Sequence, residues 1–123
     1  MSTTLKLAAI GLATMLLGSG VAKVVSGHDA GFLLGIELYY AVAALEIALA
    51  VVLATRFAPI ALLGALVLAG GGLILQIFAG DRQCGCFGSL QLTSHEHVMV
   101  ASAMGALAGT CLWLSGCRSR VAV

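Results

Sequence analysis

The stretch FAPIALLGALVLAGGGLILQIFAG, residues 57–80, has no charged side chain, and the polar segment DRQCGCFGSLQLTSHE, residues 81–96, follows it directly. A helix needs roughly 20 apolar residues to cross about 30 Å of hydrocarbon, and this stretch meets that length. Because a backbone in lipid must satisfy its hydrogen bonds within the segment, we predict a transmembrane helix here.

Three more apolar stretches of sufficient length lie at 5–25, 30–55 and 97–117. The connections between them are short, so neighbouring helices are expected to run antiparallel. The sequence therefore predicts an all-α, polytopic membrane protein: an antiparallel bundle of four transmembrane helices. Residues 1–123 form one membrane domain in this interpretation, with 81–96 as its one long loop.

The composition agrees with a protein in contact with the lipid bilayer. The chain is 61% hydrophobic and 9% charged, its mean hydropathy is +1.12, and its formal net charge is +1. These values exclude an ordinary soluble domain, and without a basic patch nucleic acid is not an expected partner. The first stretch has little positive charge and a poor cleavage site at Ser26-Gly27-His28, so we predict a retained helix rather than a signal peptide.

The basic residues predict the orientation. Four fall on one side of the predicted bundle and two on the other: Lys6, Arg56, Arg118 and Arg120 against Lys23 and Arg82. Since positive charge is retained in the cytoplasm, both termini are expected to be cytoplasmic in a multi-pass inner-membrane protein. The 81–96 loop then faces the extracytoplasmic side, where disulfides persist.

That loop contains the motif Cys84-Gly85-Cys86-Phe87-Gly88. Two thiols one residue apart are placed to form a disulfide or to share a metal. An extended C-x-C spans roughly 7 Å, so closing a bridge requires a bend, which Gly85 can supply because it lacks a Cβ. A bridge over so small a ring is expected to be strained, and strained bridges are easily reduced. The spacing therefore favours redox chemistry.

Polar residues within the apolar stretches are functional candidates because they are costly in lipid. Lys23, Glu37 and Gln76 are predicted to lie near the outer ends of their helices and, with Cys84 and Cys86, to form one polar cluster. Glu46 is nine residues beyond Glu37, hence on nearly the opposite helix face and about 14 Å deeper. Ion pairing at the interface would explain Lys23 and Glu37 without a catalytic role, and an interhelical hydrogen bond would explain Glu46.

The end of the loop contains helix-start and metal-binding patterns. Thr93 followed by Glu96 is a capping box, which predicts that the last helix starts near Ser94. Cys84, Cys86, His95 and His97 are four possible zinc or copper ligands. Their spacing is not a zinc spacing, and two histidines two residues apart on a helix diverge, so no metal site is predicted. Cys111 and Cys117 are predicted to be ordinary buried or interfacial thiols.

Together, these features resemble the MauE branch of the DoxX-like membrane proteins. The resemblance is carried by four spans, the C-G-C-F-G loop after the third, Gly20-Val21-Ala22-Lys23 in the first helix, and Leu45-Glu46-Ile47 with Arg56 after it. It implies a redox-associated inner-membrane protein of methylamine-utilisation type, which works beside a thioredoxin-like partner in the maturation of exported proteins. It also implies a quinone as a possible electron acceptor.

The leading prediction is a thiol–disulfide oxidoreductase in which Cys84 and Cys86 cycle between dithiol and disulfide, with Glu37, Lys23, Gln76 and Glu46 as further site residues. One alternative is a noncatalytic subunit of a larger membrane complex, with a structural C-x-C bridge. The other is a metal-handling membrane protein. The sequence does not identify the substrate protein, the direction of electron flow or the oligomeric state.

Overall fold

The computed structural model describes residues 3–80 and 93–121, and all the regular elements in these ranges are α-helices. They are α1 (Thr3–Ser26), α2 (Ile36–Val52), α3 (Ala58–Ala79) and α4 (Ser94–Val121). The prediction of four helices is confirmed, and the described residues contain no other regular element. Cys84 and Cys86 lie outside the described residues.

Three of the described helices are long and apolar enough to cross a membrane: Thr3–Ser26, Ala58–Ala79 and His95–Gly116. Large apolar side chains such as Leu7, Ile77 and Phe78 lie on the outer surface, with 64%, 75% and 82% of their area exposed. Such a surface is unfavourable in water and favourable in lipid, so the helices indicate a membrane protein. α2, with 17 residues, is at the lower limit of length for a crossing.

The second helix is shorter than the predicted 30–55. Asp29 accepts a hydrogen bond from the Gly31 amide through Oδ1, at 2.7 Å, and its carbonyl accepts another from Phe32. This turn delays the helix until Ile36, because an Asp side chain that binds the backbone two residues on competes with helix formation. At the other end Thr55 binds the Phe57 amide at 3.1 Å, which turns the chain into α3.

The helices pack mainly in two pairs, α1 with α2 and α3 with α4. Contacts between α1 and α4 join the pairs, and α2 meets α3 less extensively. The apolar core contains Leu12 and Leu16 of α1, Ala61 and Ala65 of α3, and Ala108 of α4, all fully buried. Small residues between α3 and α4 allow the close packing expected for helices in lipid.

An aromatic group holds the α1–α2 connection. The Tyr39 hydroxyl lies 3.0 Å from the Gly27 carbonyl and 3.3 Å from that of Lys23, so its hydrogen is shared between two acceptors at the end of α1. Gly27 has φ +75°, the left-handed conformation that commonly ends a helix. His28 packs edge-on against Tyr39 and contacts the Leu34 carbonyl at 2.7 Å through Nε2. The position of Lys23 relative to α2 is thereby set.

The capping box of α4 is confirmed. The Thr93 amide donates to Glu96 Oε2 at 2.8 Å, and the Glu96 amide donates to Thr93 Oγ1 at 3.3 Å. The helix therefore starts at Ser94, as the box predicts, and residues 94–96 belong to α4 rather than to the predicted loop 81–96.

Candidate functional site: a buried ion pair beside an open cleft

The most unusual polar feature of the described residues is an ion pair between α1 and α2. Lys23 Nζ lies 2.7 Å from Glu46 Oε2 and 2.9 Å from Oε1. It also donates to Ser19 Oγ at 2.9 Å, and the Ser19 hydroxyl donates to Glu46 Oε1 at 3.2 Å. The Lys23 side chain is fully buried and that of Glu46 is 8% exposed. The three groups form a closed network.

The local sequence of α1 accounts for the geometry of this network. Ser19 and Lys23 are four residues apart, so they lie on one face of the helix. Gly20 lies between them at the closest approach to α2: a Cβ there would be 2.7 Å from Ile47 Cγ1 and 2.9 Å from the Ala43 carbonyl oxygen. The absence of a side chain at Gly20 lets α2 approach closely enough for the two charges to meet.

The pairing explains how two charges are tolerated in an apolar interior. A buried lysine or glutamate alone has a large desolvation penalty, which a partner at hydrogen-bond distance offsets. With Ser19 as a third member, both carboxylate oxygens and the ammonium group have partners. Removing one member would leave its partner buried and uncompensated.

The structure corrects the predicted grouping of these residues. Lys23 was expected beside Glu37, with Glu46 deeper and separate, but Lys23 pairs with Glu46 and Glu37 is exposed in the first turn of α2. Since α2 starts at Ile36 rather than near residue 30, Glu46 is only about 15 Å from the start of its helix. The long lysine side chain extends inward to meet it.

Gln76 is buried one turn before the end of α3, 5% exposed. Its Nε2 donates to the Gly80 carbonyl at 3.0 Å, so it satisfies a backbone acceptor at the helix end. Cys84 and Cys86, the other members of the predicted cluster, fall in 81–92, between the described parts of the chain. The structure thus joins Lys23 to Glu46 and leaves the rest of the predicted cluster untested.

The two histidines of the predicted metal alternative differ in burial. His95 is exposed, whereas His97 is 5% exposed and its Nδ1 lies 3.3 Å from the Thr93 carbonyl. Within 3–80 and 93–121, no three His, Cys, Asp or Glu side chains lie close enough to hold a metal ion. Cys111 is a free thiol buried in the core, as predicted.

A cleft of about 280 Å³ separates α2 from α3. On α2 the cleft is lined by Leu38, Val42 and Glu46, which are spaced four residues apart and so lie on one face of the helix. Leu34, which precedes the helix, extends this row. Gly71 and Gly72 form part of the α3 wall. Glu46 is the one charged residue among the described residues that line the cleft, so it belongs both to the ion pair and to this wall.

Sequence reasoning missed Ser19 and Tyr39. The four-residue spacing of Ser19 and Lys23 was a usable signal for a shared helix face. Tyr39 had no such signal, because its role depends on the turn that connects α1 to α2. No sequence pattern predicted the cleft, although the run Gly70-Gly71-Gly72 includes two residues of its α3 wall.

No protein-family model, curated protein or solved structure matches this chain. The chemical interpretation of the site therefore rests on the residues of the chain itself.

Proposed function

We propose that this chain is a membrane thiol–disulfide redox protein of the inner membrane, in which Cys84 and Cys86 exchange with a thioredoxin-like or exported partner. The observation that carries the proposal is the joint occurrence of a C-x-C pair, four residues beyond Gly80, and a buried Lys23–Glu46 ion pair that borders a cleft. α3 runs toward the end of the bundle where α1 ends and α2 begins, and Cys84 and Cys86 follow α3 in the sequence.

A substrate thiolate attacks one sulfur of the Cys84–Cys86 bridge, which breaks that bond, forms a mixed disulfide and releases the other sulfur as a thiol after protonation. The second substrate thiol, losing its proton, then displaces the enzyme sulfur and leaves a substrate disulfide. The chain now holds a dithiol. Its reoxidation releases two electrons and two protons, which a lipid-dissolved quinone can accept to become a quinol.

The polar residues have distinct parts in this proposal. Glu46 and Lys23 form the one described ion pair buried in the apolar interior, and intramembrane charges of this kind mark proton or substrate pathways. Glu37, exposed in the first turn of α2, is accessible to a partner in this proposal. Gln76 fixes the end of α3, from which the thiol segment departs.

The proposed topology has four membrane-spanning helices, both termini in the cytoplasm and the thiols outside. Lys23 was counted among the outer basic residues, but it is neutralised by Glu46. Without it, Arg82 alone opposes Lys6, Arg56, Arg118 and Arg120, so the asymmetry of positive charge that supports this orientation becomes larger.

The resemblance to the MauE branch is part of this proposal. Gly20, Lys23 and Glu46 were matched to that family on two separate stretches of sequence. In the structure Gly20 sits at the contact with α2 and Lys23 pairs with Glu46.

The test is a trapping experiment in spheroplasts. With Cys86→Ser, the remaining Cys84 should accumulate as a mixed disulfide with a thioredoxin-like protein. Cys84→Ser is the matched variant, and trapping by it alone would exchange the roles of the two sulfurs. In the wild type, a membrane-impermeant maleimide should label the reduced pair without permeabilisation.

The reduction potential of the Cys84–Cys86 pair separates this function from a structural bridge. We expect a value well above the roughly −300 mV typical of structural disulfides. A value below it, together with normal assembly of a Cys84→Ser/Cys86→Ser variant, would assign the chain to the noncatalytic class. Stoichiometric zinc or copper in the purified protein would instead support metal handling.

A further inference from the structure

The cleft between α2 and α3 differs from a packing defect in three respects: its size, its opening and the charged residue in its lining. An engineered apolar cavity of about 150 Å³ takes up benzene, so a cleft of about 280 Å³ has room for one substituted ring. Pockets for small ligands are mostly apolar, with few polar groups that fix orientation. Glu46 supplies such a group here.

The opening of the cleft faces the lipid. Leu38 of α2 and Val67 of α3 both line it, yet they are 54% and 67% exposed on the outer surface. A ligand would therefore enter sideways from the bilayer and would have to be soluble in it. Glu46 lies eight residues beyond Leu38, so along the helix axis the two lining residues are about 12 Å apart.

The hydrogen bonds that Glu46 already makes determine which polar group of a ligand it could bind. Among the described residues, Oε2 accepts one hydrogen bond, from Lys23, whereas Oε1 accepts two. A carboxylate oxygen has two acceptor sites and no donor, so Oε2 can accept one more bond. Ring hydroxyls can donate such a bond, whereas a ring carbonyl would find no donor on this oxygen.

We propose that the cleft binds a lipid-dissolved ring amphiphile with a free hydroxyl, the chemistry of a quinol, with the hydroxyl donated to Glu46. The redox meaning of this binding rests on the proposed function, because a quinol is what a quinone becomes after it accepts two electrons and two protons from the dithiol. The binding itself depends only on the cleft and on Glu46.

The binding experiment uses full-length protein in nanodiscs under anaerobic conditions, with a radiolabelled decyl-substituted benzoquinol as the probe. Its dimethyl ether, which keeps the ring and the decyl chain but carries a methyl group in place of each hydroxyl hydrogen and so has no donor, is the control. We expect the quinol to bind at least tenfold more tightly than the ether. Equal affinities would overturn the role of Glu46 as the acceptor, and this comparison requires no variant.

A second arm tests the location. Gly72 lines the cleft and a Cβ there would meet nothing within 4 Å, so Gly72→Leu should fill the cleft. Gly70→Leu is the control, since Gly70 also has open space at its Cβ but does not line the cleft. Gly72→Leu should weaken quinol binding at least tenfold while Gly70→Leu preserves it. Equal binding by the two variants would overturn the site.

A third arm separates this proposal from the proposed function. A Cys84→Ser/Cys86→Ser variant should bind the quinol as the wild type does. If binding is retained but the thiols show no redox exchange, the proposed function fails and the ligand site stands. If the thiols exchange with a partner but the quinol and its ether bind alike, the site fails and the redox function stands.

Discussion

The two interfaces of α2 are opposite in character. Toward α1, the absence of a side chain at Gly20 allows close contact, and the Lys23–Glu46 ion pair is buried, with Lys23 fully enclosed and Glu46 8% exposed. Toward α3, the same helix lines an apolar cleft that reaches the surface. Glu46 takes part in both. The difference suggests that α1 holds α2 in place through specific polar contacts, whereas α3 leaves one side of α2 accessible from the membrane.

The contrast has an energetic basis. Helix association in lipid has no net hydrophobic drive, so it depends on close packing and on polar contacts. The α1–α2 interface has both. The α2–α3 interface is close near the other end of α2, where a Cβ on Gly64 would lie 2.8 Å from Leu49 Cδ2. The helices can therefore diverge at the cleft without breaking a polar contact among the described residues.

The largest effect is expected at Gly20. In Gly20→Leu the new side chain would occupy space now held by Ile47 and the Ala43 carbonyl, and α2 would have to move away from Lys23. Overpacking costs about 1–3 kcal/mol, and an uncompensated buried charge costs about 3–5 kcal/mol. We expect most of the folded protein to be lost, as measured by thermal unfolding in mild detergent.

The control for this substitution is Gly18→Leu on the same helix. Gly18 is exposed and a Cβ there meets nothing within 4 Å, so a leucine would only add surface toward lipid. Its unfolding temperature should stay near that of the wild type. Equal losses for the two variants would mean that the α1–α2 contact is not the tight interface described above.

The second effect concerns the ion pair. Lys23→Met and Glu46→Gln should each destabilise the protein by about 3–5 kcal/mol, because each leaves a buried partner uncompensated. The double variant should lose less than the sum, with a coupling energy of about 1–3 kcal/mol. Unfolding titrations in mixed micelles would measure all three. Additive losses would contradict a direct interaction between the two side chains.

The exposed charges provide the controls. Lys6→Met and Glu37→Gln change residues that the structure places on the surface, so each should shift stability by no more than about 0.5 kcal/mol. Glu37→Gln is also the control for the effect of Glu46→Gln on activity. If the proposed redox function holds, Glu46→Gln should reduce disulfide turnover more than Glu37→Gln does. The predicted grouping of Lys23 with Glu37 implied the reverse order.

The sequence was informative wherever one segment determined the structure. Long apolar runs predicted four helices, and Thr93 with Glu96 predicted the start of α4. It was less informative for contacts between segments. The pairing of Lys23 with Glu46 depends on where α2 begins, which is decided by the turn at Asp29, and on a close approach at Gly20. The cleft depends on the separation of two helices, a property of packing that neither helix encodes alone.

The smallest effect is expected at Gly64. Comparing a substitution there with the same substitution at Gly20 distinguishes the α2–α3 interface from the α1–α2 interface. A Cβ at Gly64 would lie 2.8 Å from Leu49 Cδ2, about as close as the Gly20 Cβ would lie to Ile47 Cγ1. The obstacle at Gly64 is the end of a flexible side chain, whereas at Gly20 it includes the Ala43 backbone oxygen. Leu49 can rotate into the looser α2–α3 interface, so Gly64→Ala should change the unfolding free energy by less than about 1 kcal/mol. The higher helix preference of alanine offsets part of the cost.

Gly20→Ala should lose more unfolding free energy in the same titration, because the backbone of α2 must move. If Gly64→Ala were the more damaging of the two, α2 would be held by α3 rather than by α1, and the cleft could not be the adaptable side of the helix.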